Sequence, residues 1–130
     1  MLQFSHVLIY VKDMERAAKW YEDILGFDVQ HMSAPHYATL YNEPMSIRLD
    51  LHPDPSGQNV GRGSMVYFAS HDLDDAIDLL RRQNVAVSEP RQRGESPRFT
   101  EFADSEGNPL GLYEMPLFQT SKSKKTEDEA

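Results

Sequence analysis

The amino-acid sequence predicts an α+β fold made of two tandem βαβββ modules with pseudo-twofold symmetry. Two observations carry that expectation. Residues 6–21, HVLIYVKDMERAAKWY, match residues 65–80, MVYFASHDLDDAIDLL, in residue type without a gap, so that Asp72 falls on Asp13, Leu73 on Met14 and Ala76 on Ala17. A self-match at one fixed offset marks a single supersecondary unit used twice. In each copy a short apolar run ends at the aspartate and gives way to apolar residues at helical spacing, the change of period expected where a strand hands over to a helix.

In the first copy residues 4–11 read as a strand. Asp13 offers an N-cap, Met14, Ala17, Tyr21, Ile24 and Leu25 recur at helical spacing, and Gly26 supplies the stop. Residues 27–32, 37–41 and 45–51 are three further strand candidates, separated by Ala34-Pro35 and by Asn42-Glu43-Pro44. Module one therefore spans residues 4–52, and the Pro- and Gly-dense stretch 53–63, PDPSGQNVGRG, reads as the linker. Module two, residues 64–117, opens with a strand at 64–70. Asp72 then caps a helix with Leu73, Ala76, Ile77 and Leu80 on one face, and Asn84 ends it. Strands are expected at 85–88, 99–103 and 110–114, with a longer loop at 89–97 before the second of these. Gly107, in the turn before the last strand, suits a positive φ. Residues 1–118 thus form one domain, and the polar stretch 119–130, QTSKSKKTEDEA, reads as a disordered tail.

Composition narrows the function classes. The chain has 130 residues, 39% hydrophobic and 26% charged, as in ordinary globular proteins. It carries no cysteine, which excludes disulfides, a thiolate nucleophile and a Cys-based zinc site. No apolar run is long enough to span a bilayer and the N-terminus lacks a signal-peptide pattern, so a cytoplasmic location is expected. A net charge of −8 argues against sequence-independent nucleic-acid binding. The basic cluster of Arg91, Arg93 and Arg98 is short and interrupted by Glu95.

Alternation divides each strand into two faces. In module one Val7, Ile9 and Val11 with Ile47, Leu49 and Leu51 are expected under the helix. The opposite rows are Phe4, His6, Leu8 and Tyr10, and Ser46, Arg48, Asp50 and His52. In module two Val66, Phe68, Leu110 and Leu112 are core, leaving Met65, Tyr67 and Ala69 with Gly111 and Tyr113 opposite. Rows of this mixed chemistry suit a ligand better than water, where Leu8, Tyr10, Met65 and Tyr67 would form an apolar patch. His31 and His36, flanking Ala34-Pro35, read as loop residues, and His71 as a solvated helix-start residue. No P-loop, dinucleotide fingerprint or Ser/His/Asp order is present.

The segment HVLIYVKDMERAAKWYEDILGF, followed by DSEGNPLGLYE, resembles the glyoxalase, bleomycin-resistance and extradiol-dioxygenase group called the vicinal oxygen chelate superfamily. His6, Val7, Tyr21, Leu25, Gly26 and Phe27 carry the first motif; Asp104, Gly107, Asn108 and Leu112 carry the second. The resemblance spans roughly residues 4–116 and implies curved mixed sheets enclosing a cleft, each backed by a helix. It also implies four metal-ligand positions, on the first and fourth strands of each module. Here those positions hold His6, Met65, Arg48 and Gly111, of which His6 alone matches a family ligand.

A catalytic metal generally needs about three protein ligands, and a guanidinium repels a cation. The expectation is therefore a small-molecule-binding protein without the usual metal site or any cofactor, acting as a homodimer without nucleic-acid or membrane partners. Its ligand face would comprise His6, Tyr10, Arg48, Asp50 and His52 from module one, and Met65, Tyr67, Gly111 and Tyr113 from module two. Arg48 is the candidate for holding an anionic or carbonyl group and the tyrosines for stacking. The alternatives are a divalent-metal-dependent lyase, isomerase or dioxygenase, with an irregular His6/Asp50/His52 site, and a non-catalytic dimeric module. Cofactor-free acid–base chemistry through His6 or Asp50 is compatible with the first reading, and no catalytic residue is assigned.

Overall fold

The computed structural model describes residues 2–34 and 36–115; Pro35, the expected end of module two and the expected tail at 119–130 lie outside the described residues. The chain divides into two compact units, one of residues 2–64 with 103–108 and one of residues 65–102 with 109–115. The first unit is discontinuous in sequence. The turn that precedes the final strand belongs to it.

The first unit contains β1 (Val7–Val11), α1 (Met14–Leu25), β2 (Asp28–Ser33), β3 (Tyr37–Asn42) and β4 (Ile47–Pro53). Its sheet has the order β1-β4-β3-β2, with β1 parallel to β4 and the other pairs antiparallel. α1 starts where Asp13 accepts a hydrogen bond from the Arg16 N–H, satisfying a donor that the first turn leaves unpaired. It ends at Gly26, whose φ of 73° lies in the left-handed region that a Cβ disfavours. The apolar stripe of the helix buries Met14, Ala17, Ala18 and Tyr21 over Ile9, Val11, Leu40, Leu49 and Leu51. Each fully buried Leu or Val there contributes about 1.5–3 kcal/mol.

The second unit repeats the plan in shorter form, with β5 (Val66–Ser70), α2 (Leu73–Arg82), β6 (Phe99–Ala103) and β7 (Pro109–Glu114) in a sheet ordered β5-β7-β6. β5 and β7 are parallel, with Tyr67 opposite Gly111 and Ala69 opposite Tyr113. Asp72 caps α2 through the Asp75 N–H, as Asp13 caps α1. Asn84, at φ 65°, ends it: the N–H groups of Asn84 and Val85 donate to the carbonyls of Arg81 and Leu80. Leu73, Ile77 and Leu80 are buried, as are Phe102, Leu110 and Leu112. Both aspartates thus begin helices, and the repeat holds at the level of capping and core.

Four local expectations need correction. Residues 85–88 form no strand. Its backbone-to-backbone bonds to β6 are the Ser88 N–H to the Glu101 carbonyl and a single bridge between Arg91 and Phe99; side chains take the rest, the Glu101 N–H donating to Ser88 Oγ and the Thr100 hydroxyl to the Ser88 carbonyl, so no ladder forms. β1 begins at Val7 and β5 at Val66, so Phe4, His6 and Met65 precede their strands instead of lying within them. Ser46 has φ 53° and belongs to the turn before β4. His31 lies in β2, not in a loop, and stacks on Tyr37 with ring centroids 5.1 Å apart.

Within the first unit the turn at 104–108 forms a polar hub. The Tyr21 hydroxyl, carried on α1, donates to Asp104 Oδ2 at 2.8 Å. Asp104 also accepts from the backbone of Glu106 and Asn108 and from Asn108 Nδ2. Asn108 Nδ2 reaches the Tyr10 carbonyl at 2.9 Å, and Asn108 Oδ1 accepts from the Gly61 N–H at 2.7 Å. Glu106, its side chain fully covered, accepts from the N–H groups of Lys12 and Asp13 and from Arg16 Nε. Burial pushes the Glu106 carboxyl up, but Arg16, the Asp13 N–H and Ser105 together hold it below the usual carboxylate range. The second sequence motif is therefore chiefly architectural. Asp104 gives the buried Tyr21 hydroxyl its acceptor, and Asn108 ties the Tyr10 carbonyl to the Gly61 N–H.

Candidate ligand-binding faces of the two sheets

The helix-free face of the first unit carries alternate residues of β1 and β4. Leu8 stands opposite Asp50 and Tyr10 opposite His52. From β3, Thr39 neighbours Asp50 and Tyr41 neighbours Arg48. At the centre is Asp50, only 5% exposed. Arg48 grips it in a two-pronged arrangement, Nε to Oδ1 at 2.8 Å and Nη2 to Oδ2 at 2.9 Å. His6 Nε2 lies 3.6 Å from Oδ2, and His6 Nδ1 shares a 2.8 Å hydrogen bond with Ser5 Oγ. The Arg48 hydrogen bonds hold the Asp50 carboxyl below its usual value against the opposing effect of burial, helped by the charge of Arg48 and by His6 and Thr39.

Sequence reasoning placed Arg48 and Asp50 on one face, and the structure joins them in a pair. The fork uses Nε and one hydrogen of Nη2, so three of the five guanidinium N–H donors are not spent on Asp50. The Arg48 side chain is 40% exposed, enough to meet a ligand while holding Asp50.

The helix-free face of the second unit is built differently. Gly111 has no side chain, and the ring of Tyr67 lies across it: a Cβ at this position would sit 2.1 Å from Tyr67 Cε2. Tyr67 packs edge-on against Tyr113 with centroids 5.6 Å apart, and Tyr113 stacks on Phe99 at 5.9 Å. The Arg91 and Arg93 guanidinium groups lie 5.0 and 4.8 Å from the Phe99 ring centre, within cation–π range. Arg91 also pairs with Glu101. Tyr67 is 41% exposed, so the aromatic run ends at an accessible ring.

Phe99, Arg91 and Arg93 belong to this face and were not assigned to it from sequence. The parity of Phe99 and Glu101 on β6 was a usable signal for the first. The arginines registered only as a charge cluster, because a loop residue has no alternation to place it.

The metal positions implied by the family resemblance can be tested against these contacts. The strand register corrects one of them: Asp50, opposite Leu8 as Gly111 is opposite Tyr67, and not Arg48, is the counterpart of Gly111, and its carboxylate is already committed to Arg48. Gly111 offers no donor and is covered by an aromatic ring. Met65 has only a thioether, a soft and weak ligand. His6 and Asp50 are then the two hard donors of the four positions, short of the three protein ligands a catalytic divalent cation generally takes. Among the described residues no group of three or more His, Asp or Glu is arranged to hold one either, the His6/Asp50/His52 set included.

The model of the glyoxalase/bleomycin resistance protein/dioxygenase superfamily matches residues 3–112. The chain belongs to this superfamily. Among solved structures it is similar to TnmS3, an antibiotic binding protein from Streptomyces sp. CB03234, at 25% identity and a TM-score of 0.69, covering 87% of this chain and 98% of that one. It is similar in fold to a bleomycin resistance determinant encoded on the transposon Tn5, at 16% identity and a TM-score of 0.72, covering 89% and 100%. A fosfomycin resistance protein, FosX, from Listeria monocytogenes, solved with Mn(II) and a dihydroxypropylphosphonic acid, matches at 16% identity and a TM-score of 0.73, covering 92% and 94%. The search of curated proteins found no match. Among the described residues no helix is long and apolar enough to cross a membrane.

Proposed function

We propose that this protein is a metal-independent small-molecule-binding protein, acting as a cytoplasmic homodimer, that takes its ligand on the helix-free sheet faces. One observation carries the reading: the Tyr67 ring lies across Gly111, where metal-using members of the superfamily present a ligand. An accessible tyrosine backed by Tyr113 and Phe99 offers stacking area at small conformational cost. Arg48, held in place by Asp50, has donors left for a carbonyl or anionic group. The likeness to an antibiotic binding protein supports binding, as distinct from turnover.

The test combines metal analysis of the purified protein with thermal melting. The expected result is no stoichiometric Zn, Ni, Mn or Fe, no fall in melting temperature with a chelator, and a rise with a library of planar aromatic compounds. A stoichiometric metal lost together with stability on chelation would overturn the metal-independent reading. A library without a single stabilising compound would overturn the binding reading.

A further inference from the structure

We propose that the aromatic face of the second unit selects planar aromatic anions, with Arg93 as the residue that reads the charge. This rests on the binding reading above and narrows it to a ligand class. Three features support it. The first is the exposed ring of Tyr67, braced edge-on by Tyr113, which itself stacks on the buried Phe99: an accessible, supported tyrosine on which a flat ligand can lie.

The second is that the two cations beside Phe99 are not equivalent. Arg91 is balanced by Glu101, whereas among the described residues no carboxylate pairs with Arg93. The Arg93 guanidinium lies 4.8 Å from the Phe99 ring centre, within cation–π range. The third is contrast with Arg48, whose charge is already neutralised by a buried carboxylate. A ligand lying on Tyr67 and Tyr113 and reaching toward Phe99 would approach the unpaired charge of Arg93.

The experiment compares three probes of nearly one shape: 2-naphthoate, 2-naphthalenemethanol and 2-naphthylmethylammonium, by isothermal titration calorimetry on the full chain. The expected order is anion, then neutral, then cation, with naphthoate about fivefold tighter than the alcohol, as suits one exposed charge pair. The preference should shrink at high salt. It should vanish in Arg93→Gln and partly return in Arg93→Lys. Tyr67→Ala should weaken all three probes alike.

Equal binding of the three probes, or preference for the ammonium compound, overturns the inference and leaves the binding reading standing. So does a charge preference untouched in Arg93→Gln. If none of the three binds while other library compounds raise the melting temperature, the inference again falls alone; if nothing in the library binds, both fall together.

Discussion

The two modules share a scaffold and differ in what they show on its open side. Asp13 and Asp72 cap their helices through the same kind of bond, and equivalent apolar residues fill both cores. On the helix-free faces nothing equivalent is kept. Module one buries a carboxylate under an arginine and a histidine; at the corresponding place module two removes the side chain altogether and lays a tyrosine over the gap. Caps and cores answer to the local demands of helix and sheet, which are identical in both copies. The open faces carry no such shared demand, and their residues differ.

The largest expected effect tests the polar hub of the first unit, built on residues 104–108. Asp104→Ala should leave the Tyr21 hydroxyl, two backbone N–H groups and Asn108 Nδ2 short of an acceptor. The expected loss is about 3 kcal/mol in urea unfolding. Leu80, the residue of module two that corresponds to Tyr21, is held by apolar burial and needs no such partner. A loss under about 1 kcal/mol would show that the two helices are anchored in the same way after all.

Next in size is Gly111→Ala, which forces the Tyr67 ring off its seat. Overpacking of this kind costs about 1–3 kcal/mol. In a Tyr67→Ala background the same substitution should cost little, and the double-mutant cycle measures the contact directly. Additive costs would mean that the ring does not rest on the glycine in solution.

A smaller effect is expected from acid. The Asp50 carboxyl sits below its ordinary value, so its pairing with Arg48 stabilises the folded state above the unfolded value of about 3.9. That stabilisation is lost as pH falls through the lower, folded value. Glu106 and Glu114 act in the same direction, so wild type alone does not isolate the pair. Arg48→Gln does: without the guanidinium, burial pushes Asp50 up, and stability between pH 5 and pH 3 should fall less steeply than in wild type. Parallel pH profiles would remove Arg48 as the group that holds Asp50 charged.

The smallest expected effect is symmetric. Asp13→Ala and Asp72→Ala should each cost about 1 kcal/mol. Clearly unequal losses would break the claim that the repeat is conserved at its caps.

What the sequence disclosed follows from this division. Capping aspartates, Gly26, Asn84 and the alternation along β4 and β7 are set by residues close in the chain, and all were legible. The strand expected at 85–88 failed because the segment's length and apolar content suggest a strand, whereas strand status depends on backbone hydrogen bonds with β6 that form at only two places. The pair of Arg48 and Asp50 was foreseeable from parity on one strand. The seat of Tyr67 on Gly111 depends on the register of β5 against β7, and that of Arg93 on the path of a loop. Neither leaves a periodic trace in the residues themselves.

The turn at 103–108 has a consequence for how the chain acquires its structure. During synthesis the residues of module one emerge first, yet the acceptor for Tyr21, the covered carboxylate at the start of α1 and the amide that ties Tyr10 to Gly61 arrive some eighty residues after α1 itself. Closing so long a loop delays folding until its contacts can repay the entropy. A fragment ending at residue 64 is therefore not a half-sized version of the protein. The duplicated sequence reads as two independent pieces, but the first is completed only by residues 103–108, carried in the second.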